Sequence, residues 1–332
     1  MPRSDYMLRR MLWAVVTVVF VVVLNFFLFR VLPGDPAKAG IRDPRLTREA
    51  QQAILERFGL DKPLFLNFSG NPFDSQFFRY IGNLLRGDLG ISYNFNRPVF
   101  DLLGERLWNT ILLVFVGELL AITFGILLGV LAAWQRGTSL DLGTLLFGLF
   151  TWSLPTFFLA MVLLILGSTY FGLPVGGMQT PGLSRADSWT QLGDLARHMV
   201  LPTLTFTIIL LGEFMLIMRS SLLDVLGEDY VLTARAKGLS ESQVLRWHAM
   251  PNAMLPMITL IALTLGFTVS GSILIESVFS WPGLGSAVFE AISRRDYPML
   301  QGAFLLFTVA VVLANLCADL LYSALDPRVR QV

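Results

Sequence analysis

Residues 108–134 read WNTILLVFVGELLAITFGILLGVLAAW, and Glu118 is the one charge among them. A bilayer core of about 30 Å takes roughly 20 mostly apolar helical residues to cross. An indole at each end, Trp108 and Trp134, suits the two membrane interfaces. The stretch is read as a membrane-crossing helix, and the rest of the chain repeats the pattern. Residues 11–32, broken only by Asn25 and Arg30, form a first candidate; 145–171, with Pro155 inside, 199–218, 254–279 and 299–325 follow. The expected fold is therefore an all-α polytopic membrane protein with six transmembrane helices and both termini on one side.

Composition agrees. Of the 332 residues, 54% are apolar and only 15% charged, against roughly 25% charged in an ordinary soluble domain. A net charge of +1 leaves no basic field for nucleic acid. Two histidines and the single Cys317 supply neither a disulfide framework nor a Cys/His metal cluster. Membrane lipid is the partner that composition implies. Residues 11–32 follow Arg3, Arg9 and Arg10 as a signal peptide would, but the apolar run exceeds the roughly 7–15 residues of a cleaved core, and no small-x-small site follows. We read a retained anchor.

Orientation follows from Lys and Arg in the short loops. With the N-terminus inside, the inner segments hold Arg3, Arg9, Arg10, Arg136, Arg219, Arg235, Lys237, Arg246, Arg328 and Arg330. The two short outer loops hold Arg185, Arg197, Arg294 and Arg295. Both termini are expected in the cytoplasm. The chain divides into residues 1–32 (N-terminal segment and first crossing), an extracytoplasmic subdomain 33–107, a core 108–325 containing the inner loop 219–253, and a tail 326–332.

The outer segment opens with Leu32-Pro33-Gly34-Asp35-Pro36, a turn that stops the first helix. Thr47 is expected to cap a helix over 48–58 ended by Gly59. Ser75 opens another, with Phe78, Ile81 and Leu85 on one face, and Pro98 begins a third leading into the second crossing. Two readings stay open: a lid over helix ends, or a docking surface for an external partner. In the last outer loop, Trp281-Pro282-Gly283-Leu284-Gly285 predicts a turn and a short helix dipping to the interface.

The inner loop 219–253 carries local order. Asp229 is expected to cap a helix through Tyr230, Ala234, Arg235, Ala236 and Lys237, with charges suited to its dipole. Gly238 supplies a left-handed stop, Leu239 follows, and Ser240-Glu241-Ser242-Gln243 is a capping box opening a second helix expected to run to Pro251. Ala234 and Ala236 are small enough for another surface to approach. A rigid helix–turn–helix below the membrane suits force transmission from a soluble partner; the plainer reading is a solvated loop.

Here the residues carry a resemblance. Ala234, Gly238 and Pro251 are spaced as in the signature of ABC importer permeases, with Leu232 and Thr233 in place of its Glu-Ala opening and Met250 where Leu is usual. Those departures resemble the peptide branch. Leu32-Pro33-Gly34-Asp35-Pro36, Leu85-Arg86-Gly87-Asp88-Leu89-Gly90, Phe279-Ser280-Trp281-Pro282-Gly283-Leu284-Gly285, Arg295-Asp296-Tyr297-Pro298 and Leu325-Asp326-Pro327-Arg328 are similar to the first, B-type permease of bacterial dipeptide, oligopeptide and nickel ABC importers.

The resemblance implies a type I importer transmembrane domain in the bacterial inner membrane. It implies a second homologous permease, two cytoplasmic ATPase subunits and an extracytoplasmic solute-binding protein as partners. Residues 229–251 would then dock on an ATPase, and Pro33, Gly34, Asp35, Pro36, Trp281, Pro282 and Gly283 would face the binding protein. The chain has no G-x-x-x-x-G-K-[ST] loop, so no cofactor is expected in it, ATP and Mg being held by the ATPase subunits, and it is expected to be non-catalytic. Peptides are the expected cargo, with nickel chelates or glutathione as alternatives.

Charge inside a membrane marks candidate function. Glu118 and Glu213 are read either as lining the translocation path or as inter-helix hydrogen-bonding groups. Asn25, Asn315 and Asp319 are read as helix–helix glue, Arg219 as an interface anchor, Pro155 as a kink, and Gly125 and Gly129 as close-packing positions. A stand-alone secondary transporter would show an internal repeat with paired broken helices, and an intramembrane enzyme a nucleophile–base set or H-E-x-x-H. The sequence displays neither.

Overall fold

The computed structural model describes residues 3–31, 47, 49, 61–68, 71–183, 187–268 and 273–325. The turn Pro33-Gly34-Asp35-Pro36, nearly all of the helix expected over 48–58, and the tail 326–332 lie outside these. The helices are α1 (Arg3–Val31), α2 (Gln76–Leu85), α3 (Val99–Trp134), α4 (Ser139–Ser153), α5 (Thr156–Phe171) and α6 (Ser188–Leu226). After them come α7 (Asp229–Ala236), α8 (Glu241–Gln243), a π-helical turn (Val244–Ala249), α9 (Met250–Thr268), α10 (Ile273–Val278), α11 (Leu284–Arg294) and α12 (Tyr297–Leu325). The β pairing among the described residues is an isolated antiparallel bridge, Ile91 to Pro98.

Among the described residues, α1, α3, α6 and α12 are long and apolar enough to cross a bilayer; α4 and α5 together make a fifth, bent by 103°. The expected kink at Pro155 is thus a full break. Proline holds the residue before it extended, and Leu154 and Pro155 both have ψ near 130° (130 and 128). The crossing expected over 254–279 falls on α9 and α10, with 269–272 outside the described residues. Among the described residues, four or five of the expected six crossings are thus met.

Helix α6 is the spine. Its close approach to α3 keeps one register: a Cβ on Gly117 would lie 2.9 Å from that of Phe206, one on Gly125 2.5 Å from that of Phe214, and one on Gly129 2.7 Å from that of Met218. Residue numbers rise together, so the two helices run parallel. Gly117, buried Ala121, Gly125 and Gly129 recur every fourth residue, a small-residue stripe that lets backbones meet. The register also brings Thr207 Oγ1 to Gly117 O at 3.1 Å.

The chain returns between these parallel helices through α4 and α5, antiparallel to α6. Arg219 meets Asp141, Gly212 meets Gly148, and Leu201 meets Gly167 in turn. Asn25 of α1 donates to Gln301 O of α12 at 2.9 Å, the glue expected of it. Asn315, by contrast, is exposed.

At one end of the bundle, Phe29, Val99, Leu103, Leu284, Val288 and Met299 form a core joining α1, α3, α11 and α12. At the other, Phe214, Met218, Leu222, Ala253 and Met257 join α6 to α9. Helix α2 forms as the sequence predicts: Ser75 Oγ accepts from Phe78 N, and Gly87 stops it at φ +77°. Its inward face differs, since Leu84 is half-buried and Leu85 exposed.

Candidate functional site

At the end of the bundle reached by α6, the chain makes a bent helical elbow, residues 227–250. Glu228 occupies the N-cap of α7 without a side-chain bond, and Asp229 is the first helical residue. The expectation that Asp229 caps the helix is thus corrected by one position. Its carboxylate still stands in the first turn, where the helix dipole favours it.

The stop is a complete Schellman motif. Gly238 has φ +82°, its N–H donates to Arg235 O at 2.9 Å, and Leu239 N–H donates to Ala234 O at 3.4 Å. Gln243 Oε1 accepts from Ser240 N at 3.0 Å and Ser240 Oγ at 2.9 Å, completing the capping box of the next helix. Arg235 spans the bend to Glu241 through two bonds of 2.9 and 3.1 Å.

Three buried residues, Val231, Ala234 and Val244, close the inside of the elbow against Val225, Leu226 and Leu239. Ala234 is therefore small because the two arms of the elbow press together there. This corrects its reading as a landing point for another surface; Ala236 is exposed and keeps that reading.

Pro251 is corrected too. The second helix does not end there but continues through the π-helical turn into α9. A proline lacks the N–H that a regular turn uses and crowds the carbonyl four residues back; the wider turn over Val244–Ala249 relieves that crowding. Sequence reasoning missed this continuity, for which His248-Ala249-Met250-Pro251 holds no simple signal.

The outer face was also missed. Leu232 is 66% and Trp247 67% exposed, with Tyr230 and Lys237 on the same end of the molecule. The Arg246 guanidinium lies 5.3 Å from the Trp247 ring centroid. Leu232, Tyr230 and Trp247 are the open large apolar side chains of an otherwise largely polar loop. Ser221 Oγ of α6 donates to Ala253 O of α9 at 2.9 Å, joining the two helices that flank the elbow.

The two intramembrane carboxylates do not meet. Glu118 is buried in α3 and Glu213 half-buried on α6. In the common register Glu213 stands beside the level of Phe124, so the carboxylates are roughly 9 Å apart along the helix axes.

Arg219, expected as an interface anchor, instead holds Asp141 with bonds of 2.6 and 2.9 Å. This corrects that reading, and Asp141 carried no signal beyond its place after Thr138, which caps α4.

At the opposite end, Trp281 and Gly283 are buried, which corrects their reading as contacts for a binding protein. Trp281 Nε1 donates to Asn109 O at 2.9 Å, and Asn109 Nδ2 donates to Pro282 O at 2.9 Å. Buried Glu276 accepts from Thr110 Oγ1 at 2.8 Å and Ser286 N at 3.0 Å, so close beneath Gly283 that a side chain there would strike it. The Trp-Pro-Gly turn is a latch between α3, α10 and α11.

Asp296 works similarly: it accepts from Ser92 Oγ, from the amides of Tyr93 and Asn94, and from Met299 N in the first turn of α12. Half-buried Pro282 and exposed Ser280 remain at the surface of this end.

Four or five helices long and apolar enough to cross a membrane, with a capped elbow at one end, make a helical membrane protein, and comparison gives the family. Residues 125–331 match the family described as the binding-protein-dependent transport system inner membrane component, and residues 3–114 match its N-terminal region; the chain belongs to that family.

It is 36% identical over 326 residues to the glutathione transport system permease protein GsiC of Escherichia coli O6:H1, covering 98% of this chain and 99% of that one. To the dipeptide transport system permease protein DppB of Escherichia coli K12 it is 36% identical over 343 residues, covering 98% of each. A solved structure of the MetNI methionine ABC transporter in inward-facing conformations superposes with a TM-score of 0.52 at 19% identity, over 68% of this chain and 96% of that chain. That likeness supports the fold.

Proposed function

We propose that this chain is one of two permease subunits of an ATP-driven importer of small peptides, non-catalytic itself. In this reading it holds half of the translocation path, while two ATPase subunits hold ATP and Mg and an external binding protein delivers cargo. The elbow lies in the cytoplasm, as the distribution of Lys and Arg argues, and both termini lie there with it. Peptide cargo is argued from the relative named for dipeptide transport.

One observation carries the coupling role. A Schellman-capped bend presents Leu232, Tyr230, Ala236 and Trp247 outward while being continuous with both α6 and α9. Closure of an ATPase subunit around Asp229, Tyr230, Arg235, Ala236, Lys237, Gly238, Leu239 and Ser240 would push on the elbow. Because Val231, Ala234 and Val244 make it stiff, the push reaches the helices rather than dissipating in a loop. Pro251, in the first turn of α9, marks where that push enters the membrane. Glu118 and Glu213 are candidates for the path at two depths, and the outer turn at Pro33, Gly34, Asp35, Pro36 and the exposed edge at Pro282 are candidates for the binding protein.

The test is reconstitution of the whole complex in vesicles, with uptake measured for labelled dipeptides, longer peptides, glutathione and a nickel chelate. ATP-dependent dipeptide uptake is expected. Transport by this chain alone, without an ATPase, would overturn the reading. Glutathione, a tripeptide, is the second cargo to test, given the equally similar relative named for it.

A further inference from the structure

Helix α2 is apolar on two sides and polar on one. At about 100° per residue, Phe77, Tyr80, Ile81 and Leu84 point one way, Phe78, Gly82 and Leu85 lie next to them, and Arg79, Asn83 and Arg86 form the remaining stripe. The first side is accounted for. Phe77 and Tyr80 pack on Phe26 of α1 with ring centroids 5.2 and 5.4 Å apart, and Phe65 meets Phe27 at 5.9 Å.

Among the described residues the second side is less covered: Phe78 and Gly82 are half-buried, and Leu85 is exposed. Phe73 is 65%, Leu85 83% and Phe68 91% exposed, with Phe73 stacked edge-on against Phe78 at 4.9 Å.

Depth decides what covers it. The apolar window of α1 runs from Leu8 to Arg30, and Phe26 lies within it, roughly 6 Å below Arg30 along the axis. Phe65, Phe77 and Tyr80 touch α1 at Phe26 and Phe27, so they sit at the depth of the bilayer boundary. Around that depth α1 exposes Leu24 and Leu28, and the open side of α2 stands at the same level.

We infer that residues 64–68 and 71–85 lie in the outer membrane interface, with Phe68, Phe73 and Leu85 buried in phospholipid and Arg79, Asn83 and Arg86 turned to the headgroups and water. A helix with this division of faces rests in the interface plane with its apolar side some 5–10 Å into the headgroup and acyl boundary. Such a float fixes the tilt of α1, to which it is bound by the three rings of Phe65, Phe77 and Tyr80, and it leaves the polar stripe of α2 for an external protein.

The test uses nitroxide labels on cysteines introduced one at a time in the full chain, assembled with its partners in phosphatidylethanolamine–phosphatidylglycerol vesicles, with Cys317→Ser as background. Phe68→Cys, Phe73→Cys and Leu85→Cys are expected to collide with oxygen and not with a water-soluble nickel chelate, like Leu24→Cys on α1. Asn83→Cys is expected to show the reverse, with an oxygen-to-nickel ratio several-fold lower. Nickel access at Phe68 and Phe73 equal to that at Asn83 would overturn the inference. So would protection from both reagents, which would mean that a protein covers this side.

Discussion

Arg219 of α6 grips Asp141 of α4 through two parallel hydrogen bonds of 2.6 and 2.9 Å, and the second carboxylate oxygen also accepts from Gly137 N at 3.0 Å. The pair is largely withdrawn from solvent, at 18% and 6% side-chain exposure. It lies where the chain turns from α3 into α4, one helical stretch above the elbow. A bidentate guanidinium–carboxylate pair is both strong and direction-specific.

Removing one partner leaves the other charge stranded. We expect Arg219→Ala or Asp141→Ala each to destabilise the subunit by roughly 2–3 kcal/mol, less than a fully buried pair costs because Arg219 keeps some solvent. The double variant should lose less than the sum, and Arg219→Lys should recover only part. Denaturation of the four proteins in one detergent reads the coupling energy directly; additive losses would show that the pair is not coupled.

Gly125 tests the parallel packing of α3 on α6. A leucine there must push against the Phe214 Cβ, the Met215 amide nitrogen and the Leu211 carbonyl oxygen, which no rotamer avoids. We expect Gly125→Leu to prevent stable folding, a loss of more than about 3 kcal/mol by overpacking. Gly143→Leu on α4, where nothing lies within 4 Å, should be tolerated. Equal melting temperatures for the two would contradict the register.

Gly238 tests the elbow as a lever. No atom lies within 4 Å of a Cβ built there, so the obstacle is the backbone at φ +82° alone. A branched side chain is strained in that region by roughly 1–2 kcal/mol, whereas Asn visits it. In reconstituted complexes Gly238→Val should uncouple ATP hydrolysis from uptake while the subunit still assembles, and Gly238→Asn should retain most transport. Unchanged coupling in the valine variant would remove the elbow from the mechanism.

Asp74 gives the outer segment an acid response. Its carboxyl is held below the ordinary value of 3.8, chiefly by the hydrogen bond from Lys62 at 2.7 Å. A carboxyl with a lowered folded pKa contributes stability above the unfolded value and loses it as pH falls through the folded one. Protease resistance of this segment should hold from neutral pH to about pH 4 and fall below it. Asp74→Asn should show reduced resistance already at neutral pH and a smaller acid step.

Some of this was legible without coordinates, because it is local. The apolar lengths of α1, α3, α6 and α12, the Ser75 cap, the Ser240–Gln243 box and the left-handed Gly238 are each set by a few adjacent residues and one periodicity, and the elbow follows from them. Only the assembled bundle revealed partners drawn from distant positions. Arg219 found Asp141, Trp281 turned inward to Asn109, Ala234 closed on Val244, and Pro251 was absorbed by a π-helical turn.

The physical reason is separation along the chain. Hydrophobic pattern and capping act within one or two turns of helix, whereas the direction in which a buried side chain points is decided by whichever helix packs beside it. In this protein that is largely α6, read against α3 in a register that no stretch of either helix contains alone.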